Sequence, residues 1–176
     1  MRLAKTVSDP GFLFCILRWP VLADPMQLAF RQMTPGDIPA TFSVRLSTVE
    51  NAITMERLES DYGITVESVA DAMAGDVKGW ICEDGGVAVG FAMGDASNGE
   101  VLVVAVRPEY EGQGIGKKVL ARVRDWLFRA GHEEIWLLTT PDPGLRAYAF
   151  YRSLGWRGTG RIQRGDEVLV LRDDDD

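Results

Sequence analysis

The stretch "VLVVAVRPEYEGQGIGKKVL", Val101 to Leu120, decides the fold. Val101 to Val106 is an apolar run rich in β-branched residues, which suits a strand buried on both faces. Pro108 ends it. Gly112, Gly114 and Gly116 then form a turn bare of Cβ atoms, and Ile115, Val119, Leu120, Val123, Trp126 and Leu127 recur at helical spacing. The order is strand, bare turn, amphipathic helix. The first turn of a helix carries N–H groups without intrahelical partners, and the aligned peptide dipoles place partial positive charge there. A glycine-rich approach lets a phosphate or pyrophosphate reach that end, and Lys117 and Lys118 add charge beside it.

The 176 residues suit one domain with its own core. Nineteen Lys and Arg against 26 Asp and Glu leave a net charge of −7, which opposes general binding of nucleic acid. Asp173 to Asp176 read as a solvated acidic tail. Cys15 and Cys82 lack a CxxC spacing and His132 is the single histidine, so neither a metal site nor a disulfide framework is expected. Cys82, within "WICEDGG", reads as a buried strand thiol. His132 is given no catalytic part.

Residues 1–25 stand apart. Early positive charge, a short apolar stretch and "VLA" resemble a secretory signal faintly, but Arg18 and Pro20 interrupt the apolar run. The favoured reading makes them an N-terminal extension, disordered or upstream of a true start at Met26, ahead of a domain over 26–172 and the acidic tail at 173–176. No segment approaches the roughly 20 apolar residues of a membrane span. A cytoplasmic protein without membrane contact is the expectation.

From Gln27 the pattern is regular. "QLAFRQM" alternates as a strand does, while "TPGDIPATFSVRL" and "TVESVADAM" each open on a Thr N-cap and continue as helices. "GWICED", Gly85-Gly86 and "VAVGFAMG" form a hairpin, which the Val101 strand extends into a meander. Gly131 closes the long helix, "EEIWLLTT" is a strand parallel to its predecessor across that crossover, and "LRAYAFYRSLGW" is a short helix stopped at Gly155. A closing hairpin turns at Arg164-Gly165-Asp166. These elements indicate an α/β (α+β) fold with one mixed, mostly antiparallel sheet and helices on both faces.

Two common phosphate motifs fail by counting. A Walker A loop needs glycine where Glu111 stands and Ser or Thr where Lys118 stands, and the dinucleotide fingerprint needs glycine at Lys117. "VRPEYEGQGIGKKVL" instead resembles the acyl-CoA signature of the GCN5-related N-acetyltransferase (GNAT) superfamily, V-x-P-x-x-(Q/R)-x-x-G-x-G/A. "RAYAFYRSLGW" resembles the family's later A-x-x-x-Y-x-x-x-G-(F/W) element, and the element order agrees from about Gln27 to Arg172.

The resemblance implies a splayed central parallel pair and acetyl-CoA as co-substrate. The pyrophosphate would lie on the backbone N–H groups of Glu111, Gly112, Gln113, Gly114, Ile115, Gly116 and Lys117. Val104, Ala105 and Val106 would bond the pantetheine as an added strand. Tyr151, by its place in the second motif, would meet the CoA sulfur as general acid, and Glu100 stands where some members carry a catalytic glutamate. Asp95, Glu50 and Glu56 are rival bases. Glu111 replaces the usual Gln or Arg, so its side chain is expected to turn away. Gly144 stands where the family often has Asn, so no side-chain contact to the cofactor is expected from that loop unless Arg146 supplies one, and Arg146 is read as a solvated arginine. The acceptor would be the primary amine of a small molecule or peptide, bound by the variable segment from about Leu46 to Gly63. A homodimer is compatible with the family. A catalytically silent acyl-CoA-binding regulatory module is the alternative, and the presence of Tyr151 favours the enzyme.

Overall fold

The strand at Val101 extends to Glu100–Val106 and lies at the centre of a seven-stranded sheet. The computed structural model describes residues 26–173; the proposed extension at 1–25 and the end of the acidic tail lie outside them. The strands are β1 (Leu28–Gln32), β2 (Val77–Asp84), β3 (Val87–Asp95), β4 (Glu100–Val106), β5 (Glu134–Thr139), β6 (Arg157–Gln163) and β7 (Asp166–Arg172), and the helices are α1 (Ile38–Leu46), α2 (Met55–Tyr62), α3 (Val66–Ala74), α4 (Ile115–Arg129) and α5 (Arg146–Ser153). Sheet order is β1-β2-β3-β4-β5-β7-β6, antiparallel except for β4 beside β5.

Helices on both faces explain the near-continuous apolar sequence of β3, which is buried from Ala88 to Gly94. On one face, Val119, Val123 and Leu127 of α4 pack with Ile135, Leu137 and Trp156. Val44 of α1, with Val69 and Met73 of α3, covers Ile81, Phe91 and Ala105 on the other. At the far edge β6 is exposed through most of its length and carries two glycines. The β2–β3 and β6–β7 hairpins turn with positive φ at two successive residues, Gly85-Gly86 and Arg164-Gly165, matching the twist of the strands they join.

The parallel pair is short. β4 and β5 are paired only at Glu100 with Trp136 and Val101 with Leu137. Beyond those residues β4 continues along β3 as far as Val106, while β5 continues along β7 as far as Thr139. The β3–β4 register slips between Met93 and Gly94, which leaves Leu102 as the extra residue and bends β4 where the two strands part.

One helix departs from expectation. The variable segment from about Leu46 to Gly63, to which the sequence pattern assigns no element, contains α2, capped by the Thr54 hydroxyl, which accepts from the Arg57 amide, and ended by Gly63 at φ 65°. Leu58 is its single buried residue. A short helix with one apolar anchor carries almost no periodicity, so only its two caps announce it.

Helix α4 lies close enough to β3 that Gly94 has no room for a side chain. A Cβ there would come within 2.6 Å of Val123 Cγ1 and 3.2 Å of the Glu100 carbonyl oxygen. Gly94→Ala is expected to destabilise the fold by about 1–3 kcal/mol through overpacking. A thermal melt checks this, and an unchanged transition would contradict the tight contact.

Candidate active site

Where β4 and β5 part, a cavity of about 1020 Å³ opens. Val104, Ala105 and Val106 form one wall, and their β5-facing edge has no partner strand. Unpaired strand edges are ready to accept an extended ligand as a further strand. Leu138 and Thr139 of β5 line the opposite side.

The glycine turn closes the top of this gap. Gly112 and Gly114 have φ of 75° and 76°, a left-handed backbone that favours glycine, and an added Cβ at either would meet nothing within 4 Å. The first bond of α4 runs from the Lys118 amide to the Gly114 carbonyl at 3.1 Å. Among the described residues the amides of Gly112, Gln113, Gly114, Ile115, Gly116 and Lys117 have no backbone acceptor. The Glu111 amide is different: it donates to Pro108 at 3.2 Å, so it drops out of the expected anion cradle. Gly112, Gly114, Ile115, Gly116 and Lys117 all reach the cavity. Gln113 does not line it and donates its side-chain amide to the Glu109 carbonyl.

Tyr151 enters from α5. Its ring stands edge-on to Phe150 and Trp156, with centroids 5.2 and 6.1 Å away, and it lines the same cavity as the glycine turn. Burial pushes the phenol up to about 12. It is therefore a protonated donor across the physiological range.

Glu100 lies at the closed end of the gap, next to the wall that begins at Val101 but not in it. Burial raises its carboxyl above the ordinary value; Asp95 adds to the rise, while Arg164 and Asn98 oppose it. The rivals are placed differently. Asp95 accepts from the Ser97 amide outside the cavity, Glu56 is exposed on α2, and Glu50 lines the cavity but accepts from the Arg146 amide at 3.0 Å.

Arg146 is not merely solvated. Its guanidinium pairs with the Glu111 carboxylate and stands 4.0 Å from Glu50, so one cation ties the glycine turn, α5 and the α1–α2 segment across the mouth of the cavity. Glu111 lines the cavity as part of this pair instead of turning away from it. Sequence pattern did not single out the cavity residues Arg45 and Asp166, and marked Thr48 and Asn51 only as part of the Leu46 to Gly63 acceptor segment; tertiary folding brings the four to one cavity. Among the described residues no cluster of His, Cys, Asp and Glu could hold a metal ion, and no helix is long and apolar enough to cross a membrane.

The profile of the Acetyltransferase (GNAT) family matches residues 48–156, more than half of the chain. The chain belongs to the GNAT acetyltransferase family. Among solved structures, PaiA N-acetyltransferase of Thermoplasma acidophilum in complex with coenzyme A aligns with a TM-score of 0.71 at 17% identity, over 84% of this chain and 99% of that one. YncA of Salmonella typhimurium, solved with its cofactor acetyl-CoA, gives 0.63 at 18% over 84% and 95%. The ribosomal-protein-S18-alanine N-acetyltransferase of Escherichia coli gives 0.60 at 18% over 82% and 91%. At these identities the likeness establishes the fold, and membership rests on the profile. No curated protein matches the sequence significantly.

For this GNAT chain, the Arg146 to Glu111 pair should make two substitutions act in opposite directions. Glu111→Gln removes an anion beside the helix terminus and is expected to tighten coenzyme A binding; Arg146→Gln leaves Glu50 and Glu111 uncompensated and should weaken it. Each effect should be about 0.3–1 kcal/mol, the usual range for exposed charge near a helix end, and should shrink in salt. Isothermal titration at two salt concentrations checks both signs.

Proposed function

We propose that the protein is an N-acetyltransferase that moves the acetyl group of acetyl-CoA to the primary amine of a small molecule or peptide within a ternary complex. The observation that carries the proposal is the convergence on one cavity of five residues with unpaired amides, an unpaired β4 edge and a protonated phenol. The amides of Gly112 to Lys117 suit a pyrophosphate, and the β4 edge suits the amides of an extended arm.

Bound acetyl-CoA supplies a thioester whose carbon–sulfur bond is exchanged for the carbon–nitrogen bond of the product amide. Attack needs a neutral amine, so one proton must leave nitrogen and one must be available to the departing sulfur. Tyr151 holds the second proton, since its phenol remains protonated well above neutrality. Glu100 receives the first through water, because its carboxyl is outside the cavity wall and cannot bond the amine directly. Burial keeps the amine-facing end of the gap from solvating that carboxylate fully, which makes it a stronger base than an exposed one. The β4 backbone near Val106 offers N–H groups to polarise the carbonyl.

Two substitutions test these roles. Tyr151→Phe keeps the ring packed on Phe150 and Trp156 and removes only the hydroxyl. Acetyl-CoA affinity should stay within a few-fold while kcat falls by about 10²–10⁴, the usual contribution of a positioned acid. Loss of only a few-fold would remove Tyr151 from proton transfer. The pH profile gives the sign for Glu100: a base must be ionised, so a raised pKa moves the acidic limb of kcat/KM above the ordinary carboxylate range. With a phenol at about 12, the alkaline limb should lie beyond pH 10. Glu100→Gln should abolish the acidic limb assigned to it, and an unaltered limb would transfer the base role to another group.

A further inference from the structure

The cavity is lined by charges of both signs. Its walls include the cations Arg45, Arg57, Lys117 and Arg146 and the carboxylates of Glu50, Glu111 and Asp166. Four positive against three negative groups leave the cavity at +1 in a chain of net charge −7. Most of these charges already have partners or a use. Arg146 is held by Glu111 and Glu50, Arg57 by Asp61 at 3.0 Å, and Lys117 lies on the glycine turn where the cofactor's phosphates are proposed to bind.

Arg45 is the exception. It projects from the last turn of α1, on the face of the sheet opposite α4, and no carboxylate pairs with it among the described residues. Its guanidinium is half-buried and donates to Thr48 Oγ1 at 2.8 Å and to the Asn51 carbonyl at 3.1 Å. A guanidinium has five N–H donors in a planar fork, so three remain. Desolvation lowers its pKa, the expected effect on a cation taken from water without a counter-ion. The carbonyls at the end of α1 favour a positive charge but provide no ion pair. Thr48, Asn51 and Tyr62 surround the site within the same cavity wall, and the Asn51 backbone is held left-handed at φ 56°.

We infer that Arg45 is the acceptor-specificity residue, and that the amine substrate is a small molecule bearing a carboxylate, which Arg45 pairs with while the amine faces the β4–β5 gap. The inference rests on the acetyltransferase reading proposed above. A planar fork with free N–H groups matches the two oxygens of a carboxylate, and the half-buried setting makes that pair stronger than a surface one. A carboxylate also supplies the charge compensation that the protein leaves out. The acidic residues of this segment do not argue for a polycationic acceptor: Glu56 and Glu59 are exposed, Asp61 is spent on Arg57, and Glu50 on Arg146.

The test uses matched acceptors, α- and ω-amino acids against their carboxamides, assayed by CoA release, with acetyl-CoA affinity measured in parallel by isothermal titration. The wild-type protein should favour the acid over its amide by about 10- to 100-fold in kcat/KM, the range for hydrogen bonds to a charged group. Arg45→Gln should collapse that ratio toward one, while Arg45→Lys, which keeps the charge without the fork, should retain part of it. Should Arg45→Gln fail to fold, as judged by its thermal transition, the Lys variant and the wild-type ratio decide. A wild-type protein indifferent to the carboxylate, or a variant that slows acid and amide alike, would overturn the inference. Absence of acetyl-CoA binding would instead defeat the acetyltransferase reading. Acetyl-CoA binding without CoA release is resolved by titrating acid and amide into the CoA-saturated protein, where equal affinities also overturn the inference.

Discussion

Two residue pairs hold the centre of the sheet together. After Glu100–Trp136 and Val101–Leu137, β4 and β5 separate, and each keeps its full ladder only with its other neighbour. Buried backbone groups without partners are costly, so a gap in the middle of a sheet persists only if solvent or a ligand satisfies its edges. The slip beside Leu102 bends β4, the crossover through α4 fixes the direction of β5, and the glycine turn lies at the open end of the resulting cleft. Cavity, amide cradle and phenol all follow from that parting.

Much of this was legible in the chain. Val101 to Leu120 announces strand, turn and helix because β-branched run, proline, glycines and helical period each act within a few residues. Burial on both faces, expected of the Val101 run, is met instead by β3 from Ala88 to Gly94, while Leu102 of β4 is 45% exposed in the cavity wall. What stayed hidden was non-local or weakly periodic. Helix α2 has one buried residue, and its polar remainder looks like a loop until Thr54 and Gly63 are taken together as caps. The fate of Glu111 could not be read from a motif that expects Gln or Arg, since its partner Arg146 is 35 residues away. Arg45 belongs to no motif at all; only folding brings it to the cavity.

The charges divide the cavity by origin. Backbone amides and Lys117 make the half proposed for the cofactor positive without requiring an acidic chain to carry a basic surface patch. Arg146 then acts as a clasp whose guanidinium is shared by two carboxylates on different segments, one from the glycine turn and one from the segment before α2. On the other face of the sheet the balance is open at Arg45, so the acceptor is proposed to complete it.

Backbone amide hydrogen exchange, followed residue by residue with and without acetyl-CoA, tests the proposed binding mode most directly. The free protein should exchange rapidly at Gly112 to Lys117, where the amides have no backbone acceptor. Saturation with acetyl-CoA should slow those amides and the β4 amides that face the gap between Leu102 and Val106, while β6 at the exposed edge stays unchanged. Binding that protects other segments and leaves the turn and β4 untouched would contradict it.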